Sequence, residues 1–295
     1  MRTICKSFTL LLAVTGLSAG NPAAAQIVSP PKSLKLDPFY KQAIRASGMW
    51  ITASDATPPE ALERAKEIVD DLLVFRPDIA RSLVAVGQRY AVMAQTESTL
   101  DLPEQRDWKK PRRDAVQLTY CERKHYDTRI APLSDYEYWA KRARGMGGFL
   151  ASGAAENLLG VPGTRYYGEN IFAHEASHTV FRALGVVSPK ERTLVEIAYA
   201  NAKAKGLWKG EYAENTIDEY WAEGTQFWFN NNYPAVVNGV VIRNDEDFAR
   251  HDPALAAVMA KVYGADHHRL KGDIYWKFSA TTPAEALPQS TAEQC

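Results

Sequence analysis

His174-Glu175-Ala176-Ser177-His178 constrains this chain more than any other stretch. The segment around it has helical spacing. Residues four apart on a helix stand one above the other on a single face, about 6 Å apart along the axis. Two imidazoles so placed can converge on one zinc ion, and Glu175 projects beside them, where it can hold the water that zinc activates. Alone, H-E-x-x-H also fits a helix with two ordinary histidines, one exposed and one satisfied in the core. The weight therefore falls on whether the chain supplies what such a site still lacks.

A catalytic zinc takes three protein ligands and keeps a fourth position for water. A third histidine in the arrangement H-E-x-x-H-x-x-G-x-x-H is excluded, because Phe181 stands at the glycine position and Leu184 at the histidine. The other common solution is a glutamate on a later helix. Glu219 and Glu223 lie four apart in Asp218-Glu219-Tyr220-Trp221-Ala222-Glu223-Gly224 and share a face. Glu219 follows His178 by 41 residues, which leaves room for one helix to cross between them. One carboxylate can ligate, and the other can accept the ring N–H of a ligand histidine and fix its tautomer. A solvated acidic helix start explains Asp218 better than Glu223, which sits among Trp221, Phe227 and Trp228. An acid buried beside aromatics is costly unless something cationic compensates. Glu196, His251, His267 and His268 are weaker candidates for the third ligand.

Tyr212-Ala213-Glu214-Asn215-Thr216-Ile217-Asp218-Glu219-Tyr220-Trp221-Ala222-Glu223 resembles the third-ligand segment of gluzincin-type zinc metallopeptidases, the anthrax lethal-factor-like group above all. That group has a tyrosine seven residues before the ligand glutamate, then two aromatics, an alanine and a second glutamate. The helix–glycine–strand pattern from Leu72 to Ala94 also resembles the opening of that domain, and the likeness spans residues 60–230. Ala176-Ser177 departs from the group, which often has a bulky residue followed by glycine there. The resemblance implies that His174, His178 and Glu219 hold one Zn2+, that Glu223 stands behind a ligand histidine, and that Tyr212 is an active-site phenol. It implies a peptide or protein substrate. The residue chemistry alone permits any amide or ester. In that chemistry zinc lowers the pKa of its water to about 7, Glu175 takes the proton, and Tyr212 donates to the developing oxyanion. The expected fold is α+β and zincin-like: a small mixed sheet packed on the catalytic helix, with a mainly helical C-terminal half carrying Glu219. Gly147–Leu159 is the candidate sheet edge for an extended substrate. Two other readings stay open. One is a non-catalytic, zinc-containing exported protein that binds a cell-envelope glycan or peptide, against which the presence of Glu175 argues. The other is a zinc hydrolase or lyase acting on a non-peptide substrate.

The N-terminus reads as a signal peptide, 1–25. Arg2 and Lys6 precede the apolar run Phe8–Leu17, and Ala23-Ala24-Ala25 offers a cleavage site. A secreted or periplasmic location follows, and no later stretch is long enough for a membrane span. The remaining 270 residues carry 33 basic and 35 acidic side chains, which argues against nucleic acid as a partner. The basic cluster Lys109-Lys110-Pro111-Arg112-Arg113 reads as a solvated loop. Cys121 and Cys295 are positioned either to form one disulfide or to remain two thiols. Residues 26–57 are expected as an extended leader, 58–280 as the metallopeptidase domain and 281–295 as a polar tail. Within the domain, Thr57-Pro58 with Glu60 should open a helix whose buried stripe is Leu62, Ala65, Ile68, Val69, Leu72 and Leu73. Arg89–Ala94 should be a strand, and the stretch from Glu97 to Gly168 loops and short strands. Its aromatics, including Trp108, Tyr136, Tyr138 and Trp139, should pack in core and loops. The H-E-x-x-H helix should run from Glu169 or Asn170 to a left-handed Gly185. A capping box at Ser188 should open a helix with Leu194, Val195 and Ala198 inward, ended by Gly206. Asn215 should cap the next, and Asp252-Pro253 a last one closed by Gly264.

Overall fold

The computed structural model describes residues 26–115, 118–266, 269–278 and Cys295. The expected signal peptide with its cleavage point after Ala25, nearly all of the polar tail, and His267 and His268 lie outside the described residues. The first part runs β1 (Gln42–Ala46), β2 (Met49–Ala53), α1 (Pro59–Leu72), α2 (Pro77–Ala85) and β3 (Arg89–Met93). The middle runs α3 (Tyr120–Lys124), α4 (Tyr126–Arg129), α5 (Asp135–Arg142), β4 (Leu150–Ala154) and α6 (Ala155–Leu159). The last part runs α7 (Ile171–Val187), α8 (Pro189–Lys205), α9 (Ile217–Trp228), β5 (Ala235–Val237), β6 (Val240–Ile242), α10 (Asp245–His251) and α11 (Pro253–Tyr263).

Four strands form one mixed sheet in the order β1-β2-β3-β4. β1 and β2 pair antiparallel, while β2–β3 and β3–β4 pair parallel. β3 is buried on both faces: Tyr90, Ala91, Val92 and Met93 are all 1 % exposed or less, as an inner parallel strand demands. One face packs on α1 and α7, the other on a smaller cluster of Tyr40, Leu102 and Leu150. The stripe expected on α1 is fully inward, from Leu62 through Leu73. Each such leucine or isoleucine contributes about 1.5–3 kcal/mol of burial, which seats α1 across the first three strands. α7 then lies between the sheet and the helical half, touching β4 on one side and α8 and α9 on the other. The molecule is thus α+β with a small mixed sheet and a mainly helical C-terminal half.

The structure departs from the sequence expectations at several ends. Within 26–57, read above as an extended leader, Gln42–Ala53 supplies two strands of the sheet. Thr57 makes no capping box, because its hydroxyl is buried and donates to the Val92 carbonyl; Pro58 precedes the helix instead. The stretch from Glu97 to Gly168 holds short helices rather than strands, β4 excepted. Ser/Thr-x-x-Glu boxes at Thr119–Glu122 and Ser134–Glu137 start α3 and α5. Gly185 does not end α7, which runs on to Val187; a late-helix glycine costs only about 1 kcal/mol, and Leu184 is buried. Ser188 makes no side-chain cap, and Leu194 is 38 % exposed while Val195, Ala198 and Ala202 face inward. Gly206 does end α8 in the left-handed region. Thr216 caps α9 rather than Asn215, and Asp252 caps α11 as expected. Cys121 and Cys295 form a disulfide with a Cα–Cα separation of 5.7 Å. Among the described residues no helix is long and apolar enough to cross a membrane.

Candidate metal centre

The first turn of α7 is anchored before the histidines begin. Asn170 caps it by accepting from the Ala173 N–H, and Asn157 accepts from Ile171 N–H. His174 and His178 then share one face, with ring centroids 5.0 Å apart. α9 is locked onto α7 by Trp221, which stacks on Phe181 at 5.3 Å and donates its indole N–H to the Ser177 carbonyl at 3.1 Å. That contact brings the start of α9 over the two imidazoles. Glu219 is held there by its own N–H on the Thr216 hydroxyl.

The donor atoms converge. Glu219 Oε2 lies 3.0 Å from His174 Nε2 and 3.7 Å from His178 Nε2. Tetrahedral ligands about 2.05 Å from a zinc ion are about 3.3 Å from one another, so these spacings bracket the expected value. His174, Glu175 and His178 also offer donor atoms that all lie within 4.8 Å of one another. Both sets share the two imidazoles. Glu219 completes the ligand set better than Glu175, because its oxygen is the one within 3.7 Å of both ring nitrogens, whereas Glu175 Oε2 stands 3.9 Å from His178 Nε2. Two imidazoles and a carboxylate are a donor set that suits zinc.

Burial shapes the electrostatics. It is the main cause that pushes the Glu175 carboxyl up to about 7, with His174 and the Gly147 N–H opposing it. Burial likewise pulls His178 down to about 4. His174 and Glu219 form a coupled pair. Burial disfavours the charge on each, yet their mutual hydrogen bond wins, so His174 rises and Glu219 falls. A crowd of acids that lifts a neighbouring imidazole is a place where a cation is favoured.

Two glycines let the main chain approach α7. A Cβ on Gly147 would stand 3.0 Å from His178 Cδ2, and one on Gly145 would stand 2.6 Å from Ile171 Cγ2 and 2.9 Å from Glu175 Cγ. Between them, Met146 exchanges backbone hydrogen bonds with Ser152 of β4. The stretch Gly147–Leu159 therefore does contain the last strand of the sheet, but its edge at Ser152 is taken by the chain's own Met146, and its end is α6.

Tyr212 sits in a short 3-10 turn, with its ring 6.4 Å from that of His174. Its hydroxyl donates to Glu219 Oε1 at 3.3 Å and receives a hydrogen bond from Arg142. Burial, before all else, drives the phenol upward. Glu223 Oε1 lies 3.6 Å from His174 Nδ1, and its other oxygen accepts from Asn232 at 3.0 Å. Burial lifts this carboxyl to about 7. Glu196 pairs with Arg192 on the surface of α8, His251 bonds the Leu207 carbonyl, and neither lines the cleft. The cleft over these residues has a volume of about 1040 Å3. Tyr138 and Trp139, expected as packing aromatics, contribute to its wall, while Trp108 packs on Trp139.

Two residues of the site escaped the sequence reading. Gln226 Oε1 is the atom against His174 Nδ1, at 2.8 Å. It stands seven after Glu219 and three after Glu223, on the face those two share, and that spacing was a usable signal. Arg142, at the end of α5, bonds Glu122 at 2.5 Å as well as the Tyr212 hydroxyl. Nothing local in the sequence ties it to a site 32 residues on.

No protein-family model and no curated protein matches the chain. Among solved structures, the PRO-PRO endopeptidase (PPEP-2) from Paenibacillus alvei is similar at 16 % identity, over 72 % of this chain and 96 % of that one, with a TM-score of 0.44. A likeness that distant carries no weight for the chemistry, which rests on the residues themselves.

Proposed function

We propose that this chain is an exported, zinc-dependent metallopeptidase of the zincin type, with the lethal-factor-like glutamate arrangement. His174, His178 and Glu219 hold a single Zn2+, Glu175 is the general base and Tyr212 the hydrogen-bond donor to the oxyanion. The observation that carries this is the convergence of Glu219 Oε2, from α9, on the two Nε2 atoms of α7 at 3.0 and 3.7 Å. Bound there, zinc supplies Lewis acidity, polarising a carbonyl and bringing the pKa of water down to about 7. Glu175, partly buried in the cleft one residue after His174 and 3.9 Å from His178 Nε2, is placed to accept a proton and to return it to the departing amine. Arg142 holds the Tyr212 hydroxyl, which donates to the carbonyl oxygen as its charge grows. A cleft of about 1040 Å3 is at the upper end for small-molecule sites and suits an extended peptide. The Cys121–Cys295 disulfide supports export through residues 1–25, because such bonds persist in oxidising compartments.

The test is purified mature protein, assayed for bound metal and incubated with a mixed peptide library with and without chelator. Zinc near one per chain, and cleavage that chelation abolishes and zinc restores, are expected. Cleavage indifferent to chelator, or a protein that takes up no zinc, refutes the proposal.

A further inference from the structure

We infer that Gln226, rather than Glu223, is the residue that sets the tautomer of His174 and so presents its Nε2 to the metal. The inference rests on the zinc site proposed above and adds to it a positioning residue.

Gln226, on α9, grips α7 at two points. Its Oε1 is 2.8 Å from His174 Nδ1, and its Nε2 donates to the Asn170 carbonyl at 3.1 Å. The second bond decides which end of the amide faces the ring. With the amide reversed, its oxygen would confront the Asn170 carbonyl, two acceptors with no proton between them. Asn170 itself is fixed. It caps α7 through its side-chain oxygen and donates its side-chain N–H to Asp273 Oδ1 at 2.8 Å. The acceptor end of Gln226 is therefore aimed at Nδ1 and keeps a proton there, so the proton that Nε2 shares with Glu219 is the one a bound metal would displace. Nε2 is the atom facing Glu219.

Glu223 is less well placed for this task. Its nearer oxygen is 3.6 Å from Nδ1, beyond hydrogen-bond range, and Asn232 draws its other oxygen away. The distinction has a chemical consequence. A carboxylate on Nδ1 raises the basicity of a ligand imidazole and adds negative charge behind the metal. A neutral amide orients the ring without that charge. Gln226 is fully buried, so removing its oxygen leaves a buried Nδ1–H unpaired and the ring free to turn.

Zinc affinity, measured by competition with a chromogenic chelator, tests this on the full chain. Gln226→Met should bind zinc ten- to a hundredfold more weakly than wild type. Gln226→Glu, which keeps an acceptor against Nδ1 and, protonated on its other oxygen, a donor to the Asn170 carbonyl, should recover to within a few-fold, and Glu223→Gln should lose less than Gln226→Met. Circular dichroism and melting of the metal-free variants establish that they fold. Should Gln226→Met not fold, wild-type protein loaded with cadmium-113 gives the answer by NMR, where the metal must couple to Nε2 of His174 and a protected proton must sit on Nδ1. Undiminished affinity in Gln226→Met, affinity in Gln226→Glu as poor as in Gln226→Met, a greater loss in Glu223→Gln, or cadmium coupling to Nδ1 overturns the inference. Wild-type protein that binds no zinc would instead refute the metal site on which it stands.

Discussion

Trp221 should be the residue whose loss most directly separates the two halves of the site. Its side chain is fully buried and joins α9 to α7 twice, by the stack on Phe181 and by the indole N–H on Ser177. Trp221→Ala removes that volume from the core, and large aromatic-to-alanine changes cost about 3–5 kcal/mol. Trp221→Phe keeps most of the stack and loses chiefly the hydrogen bond, which puts its cost at about 1–2 kcal/mol, with the Ser177 carbonyl left without that donor. In a chain this size each kcal/mol lowers the melting temperature by about 2–4 °C, so the alanine variant should melt about 6–20 °C lower and the phenylalanine variant about 2–8 °C lower. The site adds a second readout. Zinc that binds only the folded state should raise wild-type stability by about 2.7 kcal/mol at a hundred times its dissociation constant. Of the three proposed ligands two ride on α7 and one on α9, so Trp221→Ala should forfeit part of that gain at the same zinc concentration. Thermal unfolding with and without added zinc measures both effects. If Trp221→Ala melts within 2 °C of wild type, roughly the resolution at which a single kcal/mol is lost, the account of how the two helices are joined is wrong.

Other changes separate the roles of the site residues. Glu219→Ala should lose most of the bound zinc, and Glu175→Gln should keep the metal and lose most hydrolysis; metal analysis beside a peptide-cleavage assay distinguishes them, and undiminished zinc in Glu219→Ala counts against the ligand assignment. Tyr212→Phe should lower kcat by about a hundred- to a thousandfold, the range for losing one oxyanion donor, with metal content unchanged. Away from the site, Arg76 bonds Asp78 in a fork and holds its carboxyl below the ordinary value. A depressed carboxyl stabilises the fold above its unfolded pKa of about 4 and loses that contribution as pH falls through the folded value. The stability difference between wild type and Asp78→Asn should therefore shrink as the pH is lowered from about 5 through the unfolded value and on through the lower folded one. A difference that grows on acidification would reverse the sign argued here.

What the sequence discloses depends on how local the cause is. The buried stripe of α1 and the strand Arg89–Met93 follow from side-chain periodicity within one element, and both are legible. The pairing of Glu219 with the two histidines is a contact between distant segments. It became legible only because the acids recur four apart among aromatics that have to be buried. The same face of α9 carries Gln226 one turn further on, yet an amide announces nothing by its charge. Its importance arises from the Asn170 carbonyl on another helix, which turns the amide's oxygen toward His174. The missed strands β1 and β2 have a similar cause. Ser47 and Gly48 make the tight turn between them with positive φ, but Gln42–Ala53 is short and shows no clean alternation, being buried on both faces over much of its length. Short helices between residues 97 and 168 were hidden by prolines that suggested loops, although two capping boxes marked their starts. Arg142 is the limiting case. It reaches Tyr212 because Glu122 and the tyrosines around it hold its guanidinium in the cleft. A side chain whose role depends on three separate elements has no signature in any one of them, so a site like this one is found from its ligands outward and not from the residues that hold those ligands still.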